Sequence, residues 1–327
     1  MKTYIIIDSK LMAYTASYQR GQPIMATLTS IEQAVKFIVD SGQVETEEYE
    51  VIMGFDFEKS RYRKELLGSY KGHRPQGKAA KSPEEAARYQ EFQDDYRHVL
   101  PILTDALGLM VMGVSEVEFD DLGSIMAYFL QGPVIMVTED HDLLQLVVAM
   151  PEKVRQFMPR SYSMVGPEEV EQIEGVTTKE EFLVKKAIKG DSGDSIRGLV
   201  QCGDKCFDDW FPHFKGLGMN IHGWKAAFLE LAESKTKFGI HDEYKDLVDN
   251  FSDMFDINIA LGETMTDTAK FSESENDEFL KALSEPRGYS EVNYYNAVKK
   301  HTKQALNDFG DPITPSTFPY LRGNKGG

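Results

Sequence analysis

Apolar residues in the first half of the chain fall into short unbroken runs, and helical spacing fills the stretches between them. Thr3–Asp8 (TYIIID) is a β-branched run that closes on an acid, and Glu50–Asp56 (EVIMGFD) repeats the arrangement. Leu109–Met112 is a third run and Pro133–Thr138 (PVIMVT) a fourth, the last leading into the acids of EDHD. Ile31, Ala34, Val35 and Ile38 recur at helical spacing. So do Tyr89, Phe92, Tyr96, Val99, Leu100, Leu103 and Leu107 after a Ser82–Pro83 start, with a bend expected at Pro101. Leu122, Ile125, Met126 and Phe129 share one face of a helix that opens at Glu118. Strands separated by helices predict an α/β fold with a parallel sheet covered on both faces.

From about Val165 the strand signals fade and short helical patterns with intervening glycines take over, which predicts a smaller helical domain. The expected division is an α/β domain over 1–180, with a basic excursion near 57–83, a helical domain over 181–309 and a tail over 310–327. The tail holds Pro312, Pro315 and Pro319 among glycines and reads as extended or disordered.

Composition narrows the class. The chain has 327 residues, 41% hydrophobic and 27% charged, enough apolar material for a sizeable core. No apolar run is long enough to cross a membrane, and MKTYIIIDSK does not read as a secretory leader, so a cytoplasmic location in a bacterial or phage-infected cell is expected. Cys202 and Cys206 cannot build a disulfide framework, and with no paired His or Cys at ligand spacing they do not form a zinc site.

Charge adds a contrast. Lys and Arg total 36 against 53 Asp and Glu, a net −17, which argues against a protein that coats nucleic acid indiscriminately. Yet between Lys59 and Lys81 eight basic residues stand against one acid, Glu65. A basic island on an acidic body points to local handling of an anion. Within it GHRPQGKA approaches a phosphate-binding loop, but Ala79 replaces the needed hydroxyl and no strand runs into it, which rejects that reading.

The acids follow the elements. Asp8, Asp56, Asp140 and Asp142 lie at or just past the ends of predicted strands, where parallel sheets place their sites. Glu118, Asp120 and Asp121 open a helix, whose dipole favours negative charge, and Asp191 and Asp194 share a three-residue spacing in KGDSGDS. Any one of these is an ordinary turn residue or cap. As a converging set they repel one another unless cations sit among them, and oxygen donors without His or Cys select Mg²⁺ or Mn²⁺.

The blocks IIIDS, GFD, EVEFDDLG, TEDHDLLQL and KGDSGDSIRGL, in this order between about residues 3 and 210, resemble those of the flap endonuclease / 5′→3′ exonuclease family, including the bacteriophage RNase H enzymes. The resemblance implies a PIN-like nuclease core followed by a helix-three-turn-helix element that grips duplex DNA. It implies two Mg²⁺ ions, with Mn²⁺ as a substitute. Asp8, Asp56, Glu118 and Asp120 would form the first metal position, and Asp140, Asp142, Asp191 and Asp194 would form or support the second. Asp121 would bridge them or lie just outside.

GSYKGHRP resembles the family's arch segment, which gives Tyr70, Lys71 and Arg74 roles at the scissile region. An aromatic ring can stack on an unpaired base, while Lys and Arg offset phosphate charge. Arg61, Arg63, Lys64 and Lys189 would add phosphate contacts. Of the family's glycine-rich hairpin, which can hold K⁺, LVQCGDKC keeps Gly203 and Lys205. The expected activity is a structure-specific 5′ nuclease, combining exonuclease, flap endonuclease and RNase H action, that removes primers and flaps during DNA replication. Its expected partners are 5′ flaps, branched or nicked duplex DNA and RNA–DNA hybrid, with the tail a candidate for a sliding clamp or single-strand-binding protein. Two other readings stay open: a PIN-domain ribonuclease on single-stranded RNA, and a branched-DNA-binding relative without catalysis.

Overall fold

The four predicted runs are strands β1 (Lys2–Asp8), β2 (Glu48–Phe55), β3 (Met110–Gly113) and β4 (Val134–Val137). Two more, β5 (Val154–Met158) and β6 (Ser163–Val165), were not predicted. The computed structural model describes residues 2–17, 23–44, 48–72, 82–198, 211–213, 215–233, 245–301 and 318–322. The six strands form one sheet in the order β3-β2-β1-β4-β5-β6, parallel except for the antiparallel β6.

The unbroken apolar runs are explained by burial on both faces. Ile5 and Ile7 of β1 face one core while Ile6 faces the other. Val51, Met53 and Phe55 oppose Ile52 in the same way, and Ile135 and Val137 oppose Val134 and Met136. β5 escaped prediction because Arg155 and Gln156 interrupt its apolar run. Gln156 is nevertheless buried, its amide donating to the carbonyls of Thr138 and Asp140 at 3.2 and 3.0 Å.

In chain order the helices of the sheet-forming half are α1 (Ser9–Ser17), α2 (Pro23–Asp40), α3 (Arg61–Leu66), α4 (Pro83–His98), α5 (Leu100–Ala106), α6 (Phe119–Phe129), α7 (Leu144–Ala149) and α8 (Pro167–Glu174). They are followed by α9 (Lys179–Lys189), α10 (Ile221–Glu233), α11 (Lys245–Gly262), α12 (Glu273–Ser284) and α13 (Glu291–His301). The bend expected at Pro101 is a break instead. α4 ends at His98 and Pro101 sits in the first turn of α5, where its missing N–H costs nothing. A two-stranded hairpin, β7 (Gly190–Asp191) with β8 (Ile196–Arg197), follows α9. Gly190 at φ 74° is required there, because a Cβ would lie 2.1 Å from the Gly198 nitrogen.

α1, α2, α4, α5 and α13 cover one face of the sheet, and α6–α9 with α10–α12 cover the other. The expected boundary near 180 therefore does not separate two cores. Trp224, Phe228, Phe255, Phe271 and Phe279 join the core of the second face, and Tyr294 and Val298 join that of the first. The tail is docked where it is described. Phe318 and Leu321 are 1% exposed, and the Glu32 carboxylate accepts the backbone N–H groups of Tyr320 and Leu321 at 2.9 and 2.8 Å. Tyr49, at the start of β2, donates its hydroxyl to the Tyr320 carbonyl at 2.7 Å, which puts this segment on the amino side of the sheet. Among the described residues no helix is long and apolar enough to cross a membrane.

Candidate active site

β1 leads outward through β2 to β3, and the chain then returns to the other flank of β1 as β4. Such a reversal opens a crevice at the carboxyl ends of the two central strands. Asp8 ends β1, and Asp140 follows β4. Thr138 joins them: its hydroxyl donates to Asp8 Oδ2 and accepts from the Asp140 N–H, both at 3.0 Å. Asp8 also accepts the Leu11 N–H at 3.0 Å.

α6 carries the next acids, and a glycine lets it approach the sheet. A Cβ on Gly54 of β2 would stand 2.2 Å from the Phe119 ring, so only glycine allows the first turn of α6 to lie against that strand. Glu118 is the residue before this helix. Its carboxylate accepts from Lys71 Nζ and from the Tyr70 hydroxyl, both at 2.8 Å, with Arg63 3.6 Å away. Asp56, just past β2, binds Lys10 at 2.8 Å through Oδ2, while its buried Oδ1 has no hydrogen-bond partner among the described residues.

A second group forms where α9 and the β7–β8 hairpin meet the turn after β4. Carboxylate oxygens of Asp142, Asp191 and Asp194 lie within 4.8 Å of one another. Lys186 is bonded to Asp142 and lies 3.4 Å from Asp191. Asp191 also caps the N–H groups of Gly193 and Asp194 at 2.8 and 3.2 Å. Asp194 accepts from the Tyr70 hydroxyl at 3.2 Å and stands 3.8 Å from Lys71, so Tyr70 and Lys71 link the two groups.

Protonation follows these partners. Burial pushes Asp8 up to about 6, with the charges of Asp140 and Asp56 adding to the effect. Burial also raises Asp56, against the pull of Lys10. Asp120 is held well above the carboxylate range by burial and by the Asp140 charge, and Asp140 is raised by burial and by Asp142. Glu118 goes the other way: burial opposes ionisation, but Lys71 and Arg63 outweigh it. Lys186 does the same for Asp191. Lys71 and Lys186 are themselves kept charged, against burial, by the carboxylates they touch. An all-oxygen donor set, a buried carboxylate oxygen without a partner among the described residues, and carboxyls whose ionisation is disfavoured by burial and by one another fit a site for hard divalent cations.

Several expected roles change. Asp121 is fully buried inside the protein: both its oxygens receive the Arg63 guanidinium, and Oδ1 also accepts the Met265 N–H at 3.0 Å. That is a structural ion pair, so neither Asp121 as a metal ligand nor Arg63 as a phosphate contact matches its placement. Arg63 further donates to the Leu261 carbonyl at 3.0 Å. Arg61 is committed to Glu275 and Glu65 at 2.9 and 2.8 Å and does not project freely. The Tyr70 ring is 4% exposed and packs with Ile196 and Leu261, which leaves no face for a base. Lys64 is half-exposed, 4.0 Å from Glu116, and Lys189 ends α9. Arg74, Gly203 and Lys205 lie outside the described residues.

Thr138, Gln156, Lys10 and Lys186 were missed. For Lys186 a signal existed, since it follows Phe182 and Leu183 by four and three residues and so stands on the apolar face of α9. A cation on a buried face needs an anionic partner. Thr138, Gln156 and Lys10 acquire their partners only through sheet topology.

Comparison with known proteins gives the context. The family model for the 5′-3′ exonuclease N-terminal resolvase-like domain matches residues 3–175. A 5′-3′ exonuclease of Mycobacterium tuberculosis is 28% identical over 196 residues, covering 57% of this chain and 59% of that protein. DNA polymerase I of Streptococcus pneumoniae is 24% identical over 244 residues, 69% of this chain and 26% of its own length. The chain thus spans well under two thirds of the curated relatives it matches. Among solved structures, bacteriophage T5 5′-exonuclease with bound zinc superposes with a TM-score of 0.66 at 20% identity, covering 86% of this chain and 98% of the other. A bacteriophage T5 flap endonuclease in a pseudo-enzyme–product complex with DNA and metal ions gives 0.61 at 17% identity, with coverage of 86% and 98%.

Proposed function

The chain belongs to the 5′-3′ exonuclease family, and on that premise we propose that it is a divalent-metal-dependent 5′ nuclease acting on branched or nicked duplex DNA and on RNA–DNA hybrid. The observation that carries this reading is the pair of carboxylate groups at the strand reversal, linked through Tyr70 and Lys71. Asp8, Asp56, Glu118 and Asp120 would hold one cation and Asp140, Asp142, Asp191 and Asp194 a second, Mg²⁺ being the candidate for both. Bound there, the cations would activate water and neutralise the charge growing on the phosphodiester and its leaving oxygen.

The chain's own groups supply the rest. Lys10, Lys71 and Lys186 neutralise Asp56, Glu118 and Asp142 in the cation-free protein, which keeps the carboxylates close together. Lys71, released from Glu118, offers its ammonium to a phosphate oxygen, and Arg74, three residues on, is the proposed second cation. Thr138 and Gln156 fix the turn that presents Asp140. T5 flap endonuclease has been captured with DNA and metal ions, and this chain shares its fold. Removal of flaps and primers during replication is the corresponding biological role.

The test is cleavage of a 5′-labelled flap duplex and of its RNA–DNA counterpart, with Mg²⁺ and with EDTA. Metal-dependent products released near the junction are expected. Tight binding without cleavage in any divalent metal would instead assign a binding role, and cutting of free single-stranded RNA alone would assign a ribonuclease.

A further inference from the structure

We propose that Lys59, a residue with no part in the acid cluster, is a positioning residue for Lys71. The proposal rests on the reading of Lys71 as the cation that meets the scissile phosphate.

Lys71 has φ 52°, the left-handed region that residues with a Cβ enter only at a cost. Such strain persists when the surroundings hold it, and it gathers at functional sites. Here both sides of the residue are held. The Lys71 N–H donates to the Asp194 carbonyl at 3.0 Å, and the Lys71 carbonyl accepts from Lys59 Nζ at 2.8 Å. The first bond restrains φ and the second ψ. Tyr70 N–H to the Leu67 carbonyl and Gly72 N–H to the Ser69 carbonyl, both 2.8 Å, tighten the turn that carries them.

The partner chosen by Lys59 is informative. Lys10, Lys71 and Lys186 all bind carboxylates in this pocket, whereas Lys59 directs its ammonium to a main-chain carbonyl. The base of Lys59 is firm: Ser60 is 1% exposed and caps α3 through the Arg63 N–H, and the Arg61 N–H donates to the Glu116 carbonyl at 2.9 Å. Lys59 therefore ties the segment that follows β2 to the Lys71 carbonyl and, with the Asp194 bond on the other side, holds the backbone that carries the Lys71 ammonium. Without it, Lys71 relaxes toward ordinary dihedrals and its ammonium swings from the link between Glu118 and Asp194.

The test is a double-mutant cycle read by single-turnover cleavage of a 5′-flap duplex in saturating Mg²⁺, with substrate Kd measured in Ca²⁺. Lys71→Met should slow cleavage about a hundredfold, as loss of an electrostatic stabiliser does. Lys59→Met should slow it about tenfold, as loss of a charged hydrogen-bond donor does, with Kd unchanged. Lys59→Arg, which keeps a donor, should restore most of the rate. In the Lys71→Met background, Lys59→Met should have no further effect. Equal losses in both backgrounds, a wild-type rate for Lys59→Met, or a loss confined to Kd would each overturn the positioning role. A wild-type rate for Lys71→Met would overturn the reading of Lys71 itself, and the proposal with it. Should Lys59→Met melt below the assay temperature, Lys59→Gln takes its place in the cycle.

Discussion

Two adjacent acids, Asp120 and Asp121, should respond in opposite ways to the same substitution. Asp121 is fully buried and gives both oxygens to Arg63 and one also to the Met265 N–H. An asparagine there keeps one acceptor and turns an NH₂ toward a guanidinium that has no water to fall back on. Breaking a buried pair in this way costs about 3–5 kcal/mol, which for a chain of this size lowers Tm by roughly 10 °C. Asp120 stands in the opposite situation. Burial and the Asp140 charge hold it well above the carboxylate range, so its ionised form is unfavourable in the cation-free protein. Asp120→Asn removes that repulsion and should leave Tm in EDTA unchanged or higher. It should also abolish the rise in Tm that Mg²⁺ or Mn²⁺ produces in the wild type. Thermal melts of both variants at neutral pH, with EDTA and with each metal, separate the two cases. Should Asp121→Asn melt like the wild type in EDTA and lose the metal-induced rise, Asp121 is a ligand and the structural account of its ion pair is wrong.

Three further outcomes are expected. Asp140→Asn should bind a flap duplex with wild-type affinity by fluorescence anisotropy yet show no cleavage in a single-turnover assay; retained cleavage would remove Asp140 from the metal site. Asp8 has a folded pKa of about 6 against 3.8 ordinarily, so between these values the folded protein holds a proton that the unfolded chain has lost, and its stability falls as pH rises through that window. Measured in EDTA, the Tm of Asp8→Asn relative to wild type should thus climb from about pH 4 to about pH 6 and then level off, worth about 2 kcal/mol once the partial exposure of Asp8 is discounted; a pH-independent difference would refute it. Leu321→Ala should cost about 2–5 kcal/mol of stability as a buried leucine does, while the cleavage rate well below Tm stays unchanged, because the segment docks on the amino side of the sheet.

How much of this was legible follows from what each residue's role depends on. The central strands β1, β2 and β4 announced themselves because burial on both faces makes a run apolar throughout, and the acids at their ends fell where parallel strands present them. Gln156 hid β5, since a buried amide whose NH₂ is taken up by two carbonyls looks polar in sequence. Basic residues misled most. Arg61 and Arg63 belong to the same charge run as Lys71, but Glu275 and Asp121, distant in sequence, claim them. Tyr70 read as an exposed ring, and only the fold shows its hydroxyl turned inward to Glu118 and Asp194. Charge density along a chain states how many cations are present and not which anions they meet. The break at Pro101 was visible as a proline but not as a helix start, because that distinction depends on which preceding carbonyl the chain can forgo.

The shared cores bear on how the protein is made. Translation delivers β1 to β6 first, with one face of the sheet awaiting Trp224, Phe255 and Phe279 and the other awaiting Tyr294, Val298, Phe318 and Leu321. A ribosome-bound chain that has reached residue 175 carries the strands and most of the acids, but its apolar faces are only partly covered and Lys186, Asp191 and Asp194 are missing. The acid pocket therefore closes only as the two faces are covered, late in synthesis. A fragment cut at the limit of the family match should aggregate, and adding the helices back as a separate polypeptide is the way to recover it.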